Sequence, residues 1–451
     1  MSDRTLAISV GGGPAPVING VIGAAAIGAI NNGFRVFGLY DGFSHLVKPG
    51  FDPARHCREL HIPEVARIHF FGGSIIRTSR TSLLDESKLS TTVRVSPDEA
   101  KLTTAIQNLL RMGVTHVLTI GGDDTALSAR FISEWAGGKL CVVHVPKTID
   151  NDLPLPGDIP TFGYSTARNL GAQLCANLME DSRSTSRWYV VVTMGRNSGS
   201  LALGIGKAAG VTLTLIPEEF HERTTIADIT DILEGSILKR RVMGRGDGVA
   251  VVAEGLAYKL GDVAELSRLL GKAVPVDAAG HPRLSEVPLA DILKYELTRR
   301  FVERGDKMTI VAETMGYELR CAPPSPFDMA YCRDLGHGGI RLMIEGVADG
   351  KHGVMVTMQG DDLVPVMFDE MIDPASNRTR IRYVNINSYS YRVARAYMIR
   401  LESGDFEDSA QLAKLAAEAK MSPEDFRARF QRVVTCGRYT ARAAVSTAAA
   451  S

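Results

Sequence analysis

The sequence has no surplus of either charge. Lysine plus arginine number 51, and aspartate plus glutamate also number 51. The chain therefore lacks the basic excess that nucleic acid or an anionic membrane surface attracts, although this balance says nothing against a local basic pocket. Cysteine is sparse. The six (Cys57, Cys141, Cys175, Cys321, Cys332, Cys436) form no C-x-x-C pair and no regular spacing. That pattern argues against a disulfide framework or zinc site and reads as free thiols in a reduced cytoplasm. Long apolar runs are missing too, since the longest, Val21 to Ile30, is about half of what crosses a bilayer. Met1–Arg4 leads into a short strand-like stretch, not a secretory signal. There is no internal repeat. The expectation is a soluble, cytoplasmic protein that binds neither nucleic acid nor membrane. At 451 residues it exceeds what one core usually supports, so two domains are expected.

Short Val-, Ile- and Leu-rich runs recur, bounded by Gly or Pro: Thr5–Val10, Arg35–Leu39, Val114–Ile120, Leu140–Val145, Trp188–Thr193, Val211–Ile216, Gly248–Ala253, Lys307–Val311 and Val354–Met358. Continuous apolar runs of this length suit strands buried on both faces. They alternate with helical patterns such as Lys101–Met112 and Leu289–Val302, which predicts βαβ units and doubly wound α/β sheets. The pattern weakens from Gly255 to about Pro288, as an insertion would. After about Arg400 it turns helical, with Ser409–Lys420 and then Ser422 as an N-cap ahead of Glu424 and Asp425. The small, polar tail 443–451 reads as frayed.

The loops after the strands carry the chemistry, because ligands bind at the carboxyl edge of open parallel sheets. Gly11-Gly12-Gly13-Pro14-Ala15-Pro16 lies between a strand and an alanine-rich helix starting near Asn19. Glycines let backbone N–H groups approach phosphate oxygens at a helix N-terminus; a turn needed only for packing is the plainer reading. The spacing is neither G-x-G-x-x-G nor a Walker loop. Gly121-Gly122-Asp123-Asp124-Thr125 opens room for a phosphate chain, with a carboxylate that suits Mg²⁺, unless Asp124 or Thr125 merely caps a helix Ala126–Ile132. Pro146-Lys147-Thr148-Ile149-Asp150-Asn151-Asp152 packs a cation, a hydroxyl, two carboxylates and an amide after a buried strand. An extended backbone would point Asp150 and Asp152 to one side, where one serves as base while the other holds metal or tunes its neighbour. The alternative is a solvated acidic turn. Met194-Gly195-Arg196 puts an arginine at a strand end, and Arg187 precedes the same strand. Arginine suits bidentate phosphate recognition, although Arg187 alone reads as a surface residue.

Assembled in this order, the motifs resemble the phosphofructokinase family from about residue 5 to 375. They are Gly-Gly-Gly-Pro-Ala-Pro at 11–16, Gly-Gly-Asp at 121–123, Lys-Thr-Ile-Asp-Asn-Asp at 147–152, Met-Gly-Arg at 194–196, Glu254-Gly255, and Gly316-Tyr317-Glu318-Leu319-Arg320. The resemblance implies two doubly wound, mostly parallel, Rossmann-like domains with the active site in the cleft between them and a helical C-terminal extension. The phosphoryl-donor domain is expected at 1–160 with 318–375, and the sugar-phosphate domain at 161–317 with 376–451.

The roles it implies are specific. Asp150 resembles the base for the C1 hydroxyl of fructose 6-phosphate, assisted by Asp152, with Lys147 and Thr148 beside them and Asp123 binding Mg²⁺. Gly12, Gly13, Arg80, Gly122, Asp124 and Lys147 would hold the donor, and Arg196 would stand near the transferred phosphoryl. Thr148, Asp150, Met194, Gly195, Arg196 and Glu254 would hold the sugar, Tyr317 and Arg320 the 6-phosphate, and Arg187 would come from a neighbouring subunit of a homodimer or homotetramer. This fits phosphoryl transfer, where positioning and charge neutralisation do most of the work.

Two positions separate branches of the family. ATP users commonly have Gly at the position of Asp124, and bacterial ATP enzymes have Gly at that of Lys147; both are charged here, as in the pyrophosphate-dependent branch. A carboxylate about 4 Å from a nucleotide phosphate costs about 4 kcal/mol at an effective dielectric near 20. Lysine attracts a compact diphosphate by a similar amount. One departure is Val311, at the position of a family arginine that grips the 6-phosphate. The rival readings are an ATP-dependent phosphofructokinase, an NAD or lipid kinase sharing the Gly-Gly-Asp turn but without Thr-Ile-Asp-Asn-Asp, and a non-catalytic regulatory subunit.

Overall fold

The computed structural model of the chain describes residues 4–85, 95–222, 224–260, 263–271, 273–274, 287–348 and 353–435. In chain order its strands are β1 (Thr5–Val10), β2 (Arg35–Leu39), β3 (Cys57–Glu59), β4 (His116–Gly121), β5 (Cys141–Thr148), β6 (Phe162–Gly163), β7 (Trp188–Thr193), β8 (Leu213–Leu215), β9 (Gly248–Ala253), β10 (Ile310–Met315), β11 (Val354–Gln359), β12 (Asp362–Met367), β13 (Ile372–Asp373) and β14 (Arg378–Thr379). The chain folds into two compact units, Met1–Ala167 with Tyr317–Arg382 and Arg168–Gly316 with Tyr383–Ser451.

The first unit is built on a sheet in the order β12-β11-β5-β4-β1-β2-β3, with β6 beside β5. Its middle strands β11, β5, β4, β1 and β2 are parallel, while β12 and β3 pair antiparallel at the two ends. Side chains of β1 are buried on both faces, as are nearly all those of β4 and β5. Unbroken apolar runs therefore served as strand signals. The second unit carries a wholly parallel sheet in the order β10-β7-β9-β8. Trp188, Val190, Val252 and Phe301 share its core with Leu412, Leu415, Phe426 and Phe430 of the C-terminal helices Ser409–Glu418 and Pro423–Thr435. Each such side chain contributes about 1.5–3 kcal/mol by leaving water, so the C-terminal region is part of this fold. Ser422 accepts the Asp425 N–H at 3.1 Å, as its capping role requires.

The two-sheet α/β architecture and the helical C-terminal region agree with the sequence reading, while several element bounds shift. β4 starts at His116 rather than Val114, β5 runs on to Thr148 rather than ending at Val145, and β8 keeps only Leu213–Leu215 of Val211–Ile216. β10 starts at Ile310, not Lys307, and runs on through the exposed Glu313 and Thr314. Pairing with β7 in the register Ile310↔Trp188 to Met315↔Thr193 carries it past its apolar start. The helix after β4 begins at Asp123 rather than Ala126. Within the stretch of weaker pattern, the structure shows a short 3-10 helix at Glu254–Lys259 and a helix at Val263–Leu270. Residues 275–286 and the tail 443–451 lie outside the described residues. Among the described residues, no cysteine forms a disulfide and no helix is long and apolar enough to cross a membrane.

Candidate active site

In the first unit the chain passes from β1 to β2 on one side, and later through β4 to β5 on the other. The order reverses between β1 and β4, which is where an open parallel sheet forms a ligand crevice. Both glycine turns lie there. Gly11 N–H donates to Ile120 O at 2.9 Å, and Gly12 N–H donates to Ser79 O at 2.8 Å. Gly12 has φ +81°, a conformation that only glycine adopts without strain. A Cβ at Gly11 or at Gly121 would fall 2.3 Å from Thr125 Oγ1, so the buried Thr125 wedges between the turns. The Thr78 hydroxyl donates to Gly12 O at 2.7 Å. The segment leading to the exposed Arg80 is thereby strapped to the first turn.

Gly122, not Asp124 or Thr125, is the N-cap of helix Asp123–Ala136, and it makes no side-chain cap. The capping alternative is thus removed. Asp123 and Asp124 are the first two residues of the helix, exposed at its positive end. The carbonyl of Gly121 is oriented by a group the sequence did not flag. His144 Nε2–H donates to Gly121 O at 3.1 Å, and His144 Nδ1 accepts from the Thr119 hydroxyl at 2.8 Å. Burial pushes this imidazole down to about 3, so it stays neutral in that tautomer.

Lys147, near the end of β5, is only 6% exposed. Its ammonium donates to Gly13 O at 2.5 Å. Arg320 Cζ lies 3.3 Å from where a Cβ on Gly13 would stand, and its guanidinium stacks 5.1 Å above the exposed Tyr317 ring. Two cations thus share one glycine turn. Burial, and then repulsion from Arg320, lower Lys147 to about 8 against the attraction of Asp150, Asp123 and Asp152. A polyanion entering here would offset the repulsion and raise that value again.

Beyond β5 the backbone does not stay extended. Asn151 adopts φ +58°, which asparagine tolerates better than most residues. The extended-chain argument for Asp150 and Asp152 sharing a side therefore does not hold. The loop is shaped by hydrogen bonds instead. Asp150 N–H donates to Thr148 Oγ1 at 3.0 Å, Thr161 N–H to Asn151 Oδ1 at 3.0 Å, and the Thr161 hydroxyl to Thr148 O at 2.7 Å. Arg382, which sequence reasoning missed, also bonds to this loop.

In the second unit β7 lies between β9 and β10, so Met194-Gly195-Arg196 meets the loops after both. Gly255 N–H donates to Gly195 O at 3.2 Å, and Met194 N–H donates to Met315 O at 3.2 Å. The Met194 side chain packs on Gly316, where a Cβ would fall 2.7 Å from Met194 Cε. Arg196 is exposed and Glu254 half-buried. A cavity of about 680 Å³ opens beside them, lined by Arg196, Gly255, Tyr258, Lys259 and residues 383–387. Glu218 anchors its wall, accepting N–H donation from Gly199 at 2.9 Å and Val384 at 3.0 Å. Burial raises that carboxyl above the usual range. Arg187 precedes β7 with Nε 3.9 Å from Asp181 Oδ2, and Val311 is half-buried on β10.

The structure therefore brings Gly12, Gly13, Lys147 and Arg320 together in the first unit, with Asp123, Asp150 and Asp152 within electrostatic reach of Lys147. It brings Met194, Gly195 and Arg196 against Gly255 in the second. A profile of the phosphofructokinase family matches residues 5–343. Over 430 residues the chain is 50% identical to the pyrophosphate–fructose 6-phosphate 1-phosphotransferase of Thermotoga maritima, covering 95% of this chain and 98% of that protein. It is 45% identical over 438 residues to the protein of the same name from Naegleria fowleri, covering 95% and 96%. The fold is shared with the crystal structure of a pyrophosphate-dependent phosphofructokinase from Marinobacter aquaeolei, at TM-score 0.60 and 16% identity over 88% of this chain and 90% of that one.

Proposed function

Because the chain belongs to the phosphofructokinase family, we propose that it transfers a phosphoryl group reversibly from diphosphate to the C1 hydroxyl of fructose 6-phosphate. The products are fructose 1,6-bisphosphate and phosphate. The observation that carries the choice of donor is Lys147, a buried ammonium held on the Gly12–Gly13 turn beside a second cation. That charge suits a compact diphosphate, while Asp124 at the head of the neighbouring helix opposes a nucleotide phosphate by about 4 kcal/mol at 4 Å. The names of the relatives that are 50% and 45% identical support the same donor.

In this reading Asp150 takes the proton of the C1 hydroxyl as its oxygen bonds to phosphorus, and the bond to the departing phosphate breaks. Asp152 tunes Asp150, and Thr148 holds the loop through the Asp150 N–H. Lys147, Arg196 and Arg80 offset charge on the transferred group. Gly12, Gly13 and Gly122 accommodate the diphosphate. Met194, Gly195, Glu254, Tyr317 and Arg320 hold the sugar phosphate, with Arg187 supplied by a second copy in a homodimer or homotetramer. The enzyme works in the cytoplasm.

The donor set fits magnesium. Among the described residues no cluster of three or more His, Cys, Asp or Glu could hold a metal alone. Mg²⁺ typically takes one or two carboxylates and completes its shell with phosphate oxygens and water. Asp123, exposed at the head of its helix, would hold it, and the bound ion would neutralise diphosphate charge.

Initial rates of the purified protein with fructose 6-phosphate, comparing diphosphate with ATP, test the donor. A higher kcat/KM with ATP would overturn it. Sedimentation at assay concentration tests the oligomer, and a fully active monomer would remove Arg187 from its role.

A further inference from the structure

We infer that Arg382 is a positioning residue that holds the Thr148–Asp152 loop in its working shape; this rests on the reading of Asp150 as base. Arg382 lies 231 positions from Asn151 in sequence, and beyond the stretch 5–343 that the family profile matches. Its backbone N–H donates to Asp152 O at 2.8 Å. The three nitrogens of its guanidinium each find a different acceptor. Nε donates to Asn151 O at 3.2 Å, Nη1 to Ile159 O at 2.7 Å, and Nη2 to Asn151 Oδ1. The residue itself is held from its other side, because Arg380 N–H donates to Met371 O at 2.8 Å beside the β13–β14 hairpin.

Two of these bonds fall on Asn151, the one residue between Asp150 and Asp152, and the others tie Asp152 and Ile159 on its C-terminal side. Asn151 has φ +58°, and its amide oxygen accepts both Arg382 and the Thr161 N–H. Without those bonds the left-handed turn loses what offsets its strain, and the loop relaxes toward an extended backbone. Asp150 and Asp152 then leave their present directions. Only a planar fork with separate donors meets the three acceptors at once; a lysine ammonium has the charge but not the geometry.

The test uses the full chain as wild type, Arg382→Lys, Arg382→Met and Arg382→Ala, with rates normalised to the folded fraction. We expect kcat with diphosphate and fructose 6-phosphate to fall about 10–100-fold in each variant, as is usual when a group orienting a catalytic residue is lost. KM for both substrates should change little. Methylguanidinium should restore part of the activity of Arg382→Ala, and methylammonium at equal concentration should not. Hydrogen exchange gives a readout free of activity. Amides of residues 149–155 should exchange about tenfold faster or more in Arg382→Met, with those of Trp188–Thr193 unchanged.

A kcat within about twofold of wild type, or a fall matched by an equal rise in either KM, would overturn the inference. So would exchange that accelerates everywhere, or no rescue by methylguanidinium. A wild type inert toward diphosphate and fructose 6-phosphate would instead sink the functional reading, and the exchange experiment would still judge Arg382.

Discussion

Two regions of this chain are dense in charge, and they differ in what their charges face. In the second unit Glu234, with no exposed side-chain surface, accepts from Arg300 at 3.0 Å, from Arg429 at 2.8 Å and from Arg304. Asp231 accepts from Arg300 at 2.5 Å and from Arg432 at 3.1 Å, and Glu296 accepts from Arg300 at 2.9 Å and Arg299 at 2.7 Å. Glu303 on Arg299 at 2.5 Å and Asp228 on Arg432 at 3.2 Å bring the carboxylates to five against five guanidiniums, and the balanced set fastens helix Pro423–Thr435 to Ile226–Val242 and Leu289–Glu303. In the first unit Lys147 meets a carbonyl and a second cation. Burial and Arg320 outweigh the attraction of the nearby aspartates, so its charged form is disfavoured. A network that satisfies its own charges holds a fold. A desolvated cation set beside another gains when an anion arrives.

The largest effect expected is at the proposed base. Asp150→Asn should lower kcat by about 10²–10⁴-fold, leaving KM for sugar phosphate and the unfolding midpoint nearly unchanged. A variant retaining about a third of wild-type kcat would take Asp150 out of that role.

Glu234→Gln strikes the other region and should do the reverse. Leaving three guanidiniums around a neutral amide costs about 3–5 kcal/mol, read as a lower denaturant midpoint with kcat per folded molecule preserved. Undiminished stability would mean the network is not what fastens the C-terminal helix.

Lys147→Met should separate stability from activity. The unfolded value of 10.5 falls to about 8 in the fold, a penalty of about 3 kcal/mol on the charged form. Below pH about 8 both states hold the proton and the penalty is fully present. Between about 8 and 10.5 the unfolded chain binds more protons, so wild-type stability rises with pH. The variant should therefore be the more stable protein at pH 7, by a margin that shrinks at higher pH, while diphosphate turnover collapses. In the wild type, KM for diphosphate should rise above pH about 8 as the ammonium is lost. A Lys147→Met protein less stable than wild type at pH 7 would show that its charge is already compensated.

The smallest effect expected is a gain. Asp124→Gly should admit weak ATP-dependent turnover at the expense of the diphosphate reaction, and adding Lys147→Gly should raise the ATP reaction further. No ATP activity in either variant would mean that Asp124 does not exclude the nucleotide.

Much of the fold was legible because its strands are buried on both faces. Trp188–Thr193 and Gly248–Ala253 read as apolar runs and became strands with those bounds. β10 was misplaced because Glu313 and Thr314 carry no apolar signal; ladder pairing with β7 extends the strand over them. The glycine turns could be found as candidates because they come directly after strands, and the same loops held Asp123, Asp124, Lys147, Asp150 and Asp152. The Asn151 turn could not be found, since a left-handed asparagine looks like any other in sequence. His144 was hidden as one polar residue in an apolar strand.

The sequence alone determined which residues form the parallel strands and which chemistry stands at the end of each. Burial on two faces demands continuous apolar runs, and phosphate turns demand glycine. Tertiary structure decided where those groups point and how they titrate. Arg320 reaches Gly13 and Lys147 from more than 170 positions away, and Arg382 reaches Asn151 from 231. Hydrogen-bond geometry and desolvation depend on such neighbours in space, which no local window of residues contains.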